Sequence, residues 1–233
     1  MRIAMHSGFA LFGPIHIAIL CAVPALAGAL SVAHRRFAAA RVYIRYAFAA
    51  ALAADNAIYY GWLIAHHSLT FPGHMPFELC DASMVLALVS LIFLWPPAFD
   101  LAYYWALAGG SMALLTPNLV EPFPSFAAVQ FFVSHGLTVA AVLYLVWSGL
   151  ARPRAWSVAR AMAGVNVFAV LMGGFDSIYK TNYFYLRAKP QNPSLLDLLG
   201  PWPWYIAGTE VVALVLFVGL YLPVRGAQRG RIW

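Results

Sequence analysis

Charge is scarce in this sequence. Of its 233 residues, 9% are Asp, Glu, Lys or Arg, while 63% are hydrophobic and the mean hydropathy is +0.77. So few charges cannot cover so much apolar surface, and a soluble globular domain is excluded. Lysine occurs only as Lys180 and Lys189, within one polar stretch, so no apolar segment can supply the Schiff-base lysine of a retinal protein. Two cysteines, Cys21 and Cys80, are too few for a disulfide framework, and their expected depths in a membrane keep them apart. Cys21 reads as a small apolar core residue. No H-x-x-x-H pair exists, which removes the helix-borne ligands of zinc-dependent seven-span lipid hydrolases. His66, His67 and His74 form only a loose loop group, and neither a metal nor a cofactor is expected. Low-complexity tracts and internal repeats of the inverted-transporter kind are missing too.

What the chain does contain is long apolar runs. Seven of them, at about 11–33, 43–65, 77–95, 101–118, 126–148, 158–179 and 201–222, have the length needed to cross ~30 Å of hydrocarbon as a helix. The breaks carry stop signals, among them His34-Arg35-Arg36, Phe71-Pro72-Gly73, Pro96-Pro97, Arg152-Pro153-Arg154 and Gly200-Pro201. The expected fold is therefore all-α, a seven-helix transmembrane bundle forming one domain over 1–233, multi-pass in the cell membrane. With the N-terminus outside and the C-terminus cytoplasmic, ten basic residues lie inside (Arg35, Arg36, Arg41, Arg45, Arg152, Arg154, Arg160, Arg225, Arg229, Arg231). Four lie outside (Arg2, Lys180, Arg187, Lys189), an asymmetry that favours this orientation. The net charge of +6 is then a topology signal and gives no footing for nucleic-acid binding. "PALAGA" at 24–29 could pass for a signal-peptidase site, but the long apolar stretch and the basic cluster after it read as a retained span.

Placed by depth at 1.5 Å per residue, the intramembrane polar groups gather in the outer half of the bilayer. Cys80 and Asp81 lie about one turn in, with Thr116 and Asp176 near outer helix ends. Asp55, Asn56, Ser134, His135 and Glu210 lie deeper. Facing lipid, the ionisable groups would each cost several kcal/mol, so the pattern predicts a polar cavity inside the bundle. Gly109-Gly110 with Ala113 reads as close helix packing. In "FPGHMPFELCDAS" (71–83), Cys80 follows Pro76 into the first turn of a helix, where the macrodipole favours thiolate, while Glu78 and Asp81 oppose it. His135 of "FFVSHGL" could activate the sulfur and return the proton to a leaving group. In the segment "IYKTNYFYLRAKP", Lys180, Arg187, Lys189, Asn182 and Tyr183 stand where a phospholipid head would dock. Lys180, four residues after Asp176, is spaced to offset it.

The strings "FELCDAS", "GGSMALLTP", "FFVSHGL", "KTNYFYL" and "KPQNPSLLDLLGPWPWY" fall in this order at the ends of successive runs. Over about residues 70–222 the chain resembles the bacterial integral-membrane family related to eukaryotic transmembrane protein 164. More distantly it resembles the androgen-induced membrane hydrolases of fatty-acid esters. The first resemblance implies an acyltransferase that remodels phospholipids through a cysteine, with Cys80 and His135 as the catalytic pair. The family usually has a histidine two residues before that cysteine, and here the position is Glu78. The expected partners are phospholipid and lysophospholipid substrates in the bilayer. Thr116, Asp176, Lys180, Asn182, Tyr183 and Glu210 are the candidate substrate contacts, and Asp55 and Asp81 are supporting groups. A second reading stays open: a transporter or small-molecule-binding membrane protein that uses Asp55, Asp176 and Glu210 as proton or cation sites, without covalent chemistry.

Overall fold

The computed structural model describes residues 9–119 and 121–229, so Arg2 and Arg231, used in the orientation count, lie outside the described residues. Helices α1 (Pro14–Arg36), α2 (Arg41–Ala65) and α3 (Leu79–Phe93) come first. A broken rod follows: α4 (Pro96–Tyr104) passes through a π-helical turn (Trp105–Gly110) into α5 (Ser111–Leu115). Helices α6 (Phe126–Trp147), α7 (Ser157–Tyr179) and α8 (Trp204–Arg229) complete the chain. With the rod counted once these are seven helical segments, and no strand occurs among the described residues. Four of them, Pro14–Arg36, Phe126–Trp147, Ser157–Tyr179 and Trp204–Arg225, are long and apolar enough to cross a membrane, and α3 is a shorter apolar helix.

Local chemistry sets the ends. Proline opens α1 and α4, where a missing N–H costs nothing. The Pro96-Pro97 pair expected to separate two spans is therefore the first turn of α4, and the fourth segment runs earlier than the expected 101–118. Ser125 caps α6 by accepting the Ala128 N–H at 3.3 Å. Leu94 and Lys180, both left-handed, terminate α3 and α7.

Successive segments alternate in direction, which gives the bundle two ends. At one, here the arginine end, α1, α3 and α6 finish and α2, α4 and α7 begin. At the other, the loop end, the 180–203 segment covers the start of α3. His34 Nδ1 to the Tyr144 hydroxyl (2.9 Å) and His16 Nε2 to the Leu114 carbonyl (2.7 Å) tie α1 to α6 and α5, so the first helix is integral to the packed fold. Helix α6 is the hub: half of its apolar stretch is buried, against 11–22% for α1, α7 and α8. Small residues let the hub's neighbours close in. A Cβ on Gly164 would stand 2.9 Å from Leu101 Cδ2, and one on Gly110 would stand 3.1 Å from Val139 Cγ2, as expected of a packing glycine. On the outside, Val167, Val170, Leu171, Val211 and Val215 are exposed along α7 and α8, a surface suited to hydrocarbon. Cys21 belongs to that exposed surface and not to the core. Exposed aromatics mark both ends, with Phe93, Trp95, Trp147 and Trp156 at the arginine end and Phe71, Tyr179, Trp202 and Trp204 at the loop end. Such paired belts are typical of the two interfaces of a bilayer.

Candidate functional site

Cys80 occupies the second position of α3 because Glu78 and Asp81 fix where that helix starts. Glu78 is its N-cap and Asp81 is N3, the two ends of a capping box, and the Glu78 backbone N–H donates to Asp81 Oδ2 at 3.0 Å. Glu78 Oε2 also accepts the Phe184 N–H at 2.9 Å, which ties the helix start to the 180–203 segment. The acidic residues flanking the cysteine are thus part of the scaffold that presents it.

The half-buried Cys80 faces a small cavity lined by Ser83, Ala106, Gly110, Ser134, His135 and Thr138. Three segments converge there: the first turns of α3, the π turn, and the middle of α6. The cavity measures about 10 Å³, room for one water. His135 Nδ1 lies 2.8 Å from the Phe131 carbonyl one turn earlier, with the two rings packed 4.2 Å apart. A carbonyl only accepts, so Nδ1 carries the proton, and Nε2 of the neutral ring is left with a lone pair. No hydrogen bond engages that nitrogen among the described residues. The other intramembrane histidine differs. His16 Nδ1 accepts the Phe12 N–H at 2.9 Å while Nε2 bonds the Leu114 carbonyl, so both nitrogens are spent on structure and the ring is wholly buried.

The sequence profile of the TMEM164 family matches residues 9–221, nearly the whole described chain. The chain belongs to the TMEM164 family. No curated protein and no solved structure matches it.

In this family member the polar residues that depth alone groups together are separated by helix face. Asp55 accepts from Gln130 Nε2 at 3.3 Å, one turn from Ser134, and so stands behind the cavity wall. Glu210 accepts from Asn166 Nδ2 at 3.0 Å on the α7–α8 seam. Thr116 caps α5 and returns its hydroxyl to the Met112 carbonyl at 3.0 Å. Asp176 is wholly buried at the end of α7, where Oδ1 accepts from the Thr181 hydroxyl (2.6 Å) and the Tyr183 N–H (3.0 Å) and Oδ2 has no partner among the described residues. None of these four lines the cavity with Cys80, so among the described residues that cavity is not shared by all of them. The expected Lys180–Asp176 offset also fails. Helix α7 ends at Tyr179, Lys180 turns left-handed, and its Nζ donates to the Ser177 carbonyl at 2.9 Å.

The 180–203 segment is an internally bonded cap. Asn182 Oδ1 accepts the Arg187 and Ala188 N–H groups, each at 2.9 Å, and its Nδ2 donates to the Ala188 carbonyl. The Tyr183 hydroxyl donates to the Pro72 carbonyl (2.6 Å) and accepts the Met75 N–H (2.9 Å). Asn118 Nδ2 donates to the Tyr185 hydroxyl (3.0 Å), while Asn192 Nδ2 donates back to Asn118 Oδ1 (2.9 Å). Beneath this cap is a second, open recess of about 250 Å³, lined by Gly73, Glu78, Thr181, Asn182 and Tyr183. Glu78 lines it and stands two residues before Cys80, so recess and cavity flank the same turn of α3.

Sequence reasoning passed over Ser83, Thr138 and the π turn. Ser83 and Thr138 bond the carbonyls four residues back at 2.7 and 2.8 Å, as any intrahelical Ser or Thr does, and carry no sequence signature. The π turn does leave a trace in Gly109-Gly110, and a π segment inside a helix is frequent at functional sites. Tyr59 and Tyr60 on α2, within electrostatic reach of Cys80 and Asp81, were also missed.

Proposed function

We propose that this TMEM164-family member is a membrane-embedded acyltransferase that moves an acyl chain between phospholipids through a thioester on Cys80. The observation that supports it is that Cys80 and His135, whose Nε2 keeps a free lone pair, line one cavity of the bundle. His135 Nε2 takes the thiol proton, and the thiolate sulfur adds to the carbonyl carbon of a phospholipid ester. The addition forms a C–S bond and an oxyanion. The first-turn N–H groups of α3 have no acceptor within the helix, and those of Leu79 and Cys80 are assigned to hold that oxygen. Collapse breaks the ester C–O bond, the departing lysophospholipid oxygen takes the proton from His135, and the acyl group remains on sulfur. A second lysophospholipid hydroxyl then gives its proton to His135 and attacks the thioester carbonyl, and as the C–S bond breaks the departing Cys80 sulfur takes that proton back from His135. Water in place of that hydroxyl would make the same site a lipid ester hydrolase.

The phosphate head is assigned to the recess beside Glu78, Thr181, Asn182 and Tyr183, next in sequence to Lys180. In the orientation favoured by the arginine asymmetry, this recess opens outward. The backbone carbonyl of Phe131 plays the part that a carboxylate plays in many triads, holding the histidine tautomer. Of the groups a transporter would titrate, Asp55 stands behind Ser134 of the cavity wall, while Asp176 and Glu210 sit against different neighbours away from the cavity. That separation favours the enzyme reading.

The test is covalent. Purified protein incubated with a phospholipid carrying a labelled acyl chain should acquire an adduct on Cys80 that neutral hydroxylamine removes. Cys80→Ala should lose adduct and transfer together, and full transfer by that variant would refute the mechanism.

A further inference from the structure

At the arginine end, Asp100 of α4 is wholly buried yet serves two cations from the other side of a loop. Arg154 donates to Asp100 Oδ2 through Nε (3.0 Å) and Nη2 (2.8 Å), and its backbone N–H donates to Oδ1 at 3.0 Å. Arg160 reaches the same Oδ2 through Nε at 3.0 Å and Nη2 at 2.8 Å, and that Nη2 also donates to the Ala155 carbonyl at 2.6 Å. Both guanidiniums therefore converge on one oxygen, with their Nη2 atoms within about 6 Å of each other. One carboxylate neutralises one of them, so the cluster keeps an unbalanced positive charge. The two side chains are 44% and 41% exposed, and the Nη1 group of each is unpartnered among the described residues.

We propose that Arg154 and Arg160, clamped on Asp100, form a binding site for the phosphate of an anionic phospholipid at the arginine end of the bundle. Paired guanidiniums held in place match the oxygens of a phosphodiester and have already lost the side-chain freedom that docking would otherwise cost. The depth is right for a head group. Trp156, between the two arginines in sequence, is 80% exposed, and the exposed Trp95 and Trp147 of the same aromatic belt cap the start of α4 and end α6, respectively. An anionic lipid cancels the excess charge, whereas the ammonium of a zwitterionic lipid works against it. The site stands apart from Cys80 and does not depend on the acyl-transfer reading.

The full-length chain in detergent micelles is titrated with short-chain phosphatidylglycerol, short-chain phosphatidylcholine or inorganic phosphate, and the thermal midpoint is followed. Phosphatidylglycerol should raise the midpoint at concentrations at least about tenfold below those phosphatidylcholine requires. Arg160→Gln leaves a one-to-one Asp100–Arg154 pair and should stay folded while losing that preference. Arg36→Gln, outside the cluster, should keep it. If Arg160→Gln proves unstable, Arg160→Lys retains the charge without the fork and should weaken the preference at least about threefold. Equal response to the two lipids in the unaltered protein, or unaltered preference in both Arg160 variants, would overturn the site. An equal response to inorganic phosphate would make it a free-phosphate site and overturn the lipid assignment.

Discussion

Gly110→Ala tests whether the carbonyl under attack sits in the cavity between Cys80 and His135. Gly110 lines that cavity from the π turn, and a methyl placed on it would stand 3.1 Å from Val139 Cγ2. Two stability effects oppose each other. Alanine gains about 1 kcal/mol over glycine inside a helix, and the contact with Val139, tighter than ordinary packing, costs about 1–3 kcal/mol. The net change should therefore fall within about 2 kcal/mol, and the protein should fold. Function is another matter. The cavity holds about 10 Å³, and a methyl group is about as large as the one water it could admit. Formation of the acyl adduct on Cys80, measured by quenched-flow labelling and intact mass, should slow by at least about tenfold, since small misplacements of reacting groups carry costs of that order. Adding Val139→Ala should relieve the contact and restore the thermal midpoint without restoring the rate. Wild-type acylation in Gly110→Ala would show that the ester carbonyl does not enter this space, and a rate restored together with stability would reduce the effect to packing.

The two intramembrane histidines should separate cleanly. His135→Ala should cut acyl transfer by about 10²–10⁴-fold with little loss of thermal stability, whereas His16→Ala, leaving the Phe12 N–H and the Leu114 carbonyl unpaired, should cost about 2–4 kcal/mol by melting and act on activity only through folding. Glu78→Ala removes the α3 N-cap and the tether to Phe184, and should destabilise by about 1–3 kcal/mol and lower transfer. Glu78→Gln keeps an acceptor for that N–H and should stay within about 1 kcal/mol of the parent in the same melting assay.

The number of helical segments was readable because an apolar run of membrane length has few alternatives. Their ends were less so. Pro96-Pro97 carries a breaker signal, and the same residues are good first-turn residues, so the sequence alone does not say on which side of the prolines the helix lies. Residue 77 looked like the start of the third span because Phe77 is apolar, but the Glu78 and Asp81 cap sets it at Leu79. Depth set Cys80 about one turn in and Ser134 and His135 deeper, yet all three line one cavity. Depth is one coordinate of a helix, and azimuth is the other, which is why Glu210 at a comparable depth meets Asn166 and Asp176 meets Thr181. The Lys180–Asp176 expectation failed for a related reason, since an i, i+4 pair requires the helix to continue, and it ends between them. The π turn shifts the face of the rod from Trp105 onward, and no periodicity count assuming 3.6 residues per turn predicts which of its residues meet Cys80.

The geometry also constrains how a lipid reaches the sulfur. At about 10 Å³ the cavity is closed to an ester, while the recess of about 250 Å³ on the other side of the same helical turn is open. The two are flanked by Glu78 and Cys80, two residues apart, and one direct side-chain bond, Phe184 N–H to Glu78 Oε2, joins the cap to the helix start. Such a hydrogen bond contributes about 0.5–1.5 kcal/mol to a neutral acceptor and about 1.5–3 kcal/mol to a charged one. The cap around it carries left-handed backbone at Lys180, Phe184 and Tyr185, conformations disfavoured for residues other than glycine and held in place only by surrounding contacts. Exchanging the Phe184–Glu78 bond for bonds to a phosphate head would thus remove the main restraint on merging the recess with the cavity and relax the strained segment together. The bonds of Tyr183 to Pro72 and Met75 and of Asn118 to Tyr185 anchor the rest of the cap, so the opening is confined to residues next to Glu78. In the proposed mechanism, head-group binding and exposure of Cys80 would in this way be linked through a single residue, the one at which this chain has glutamate.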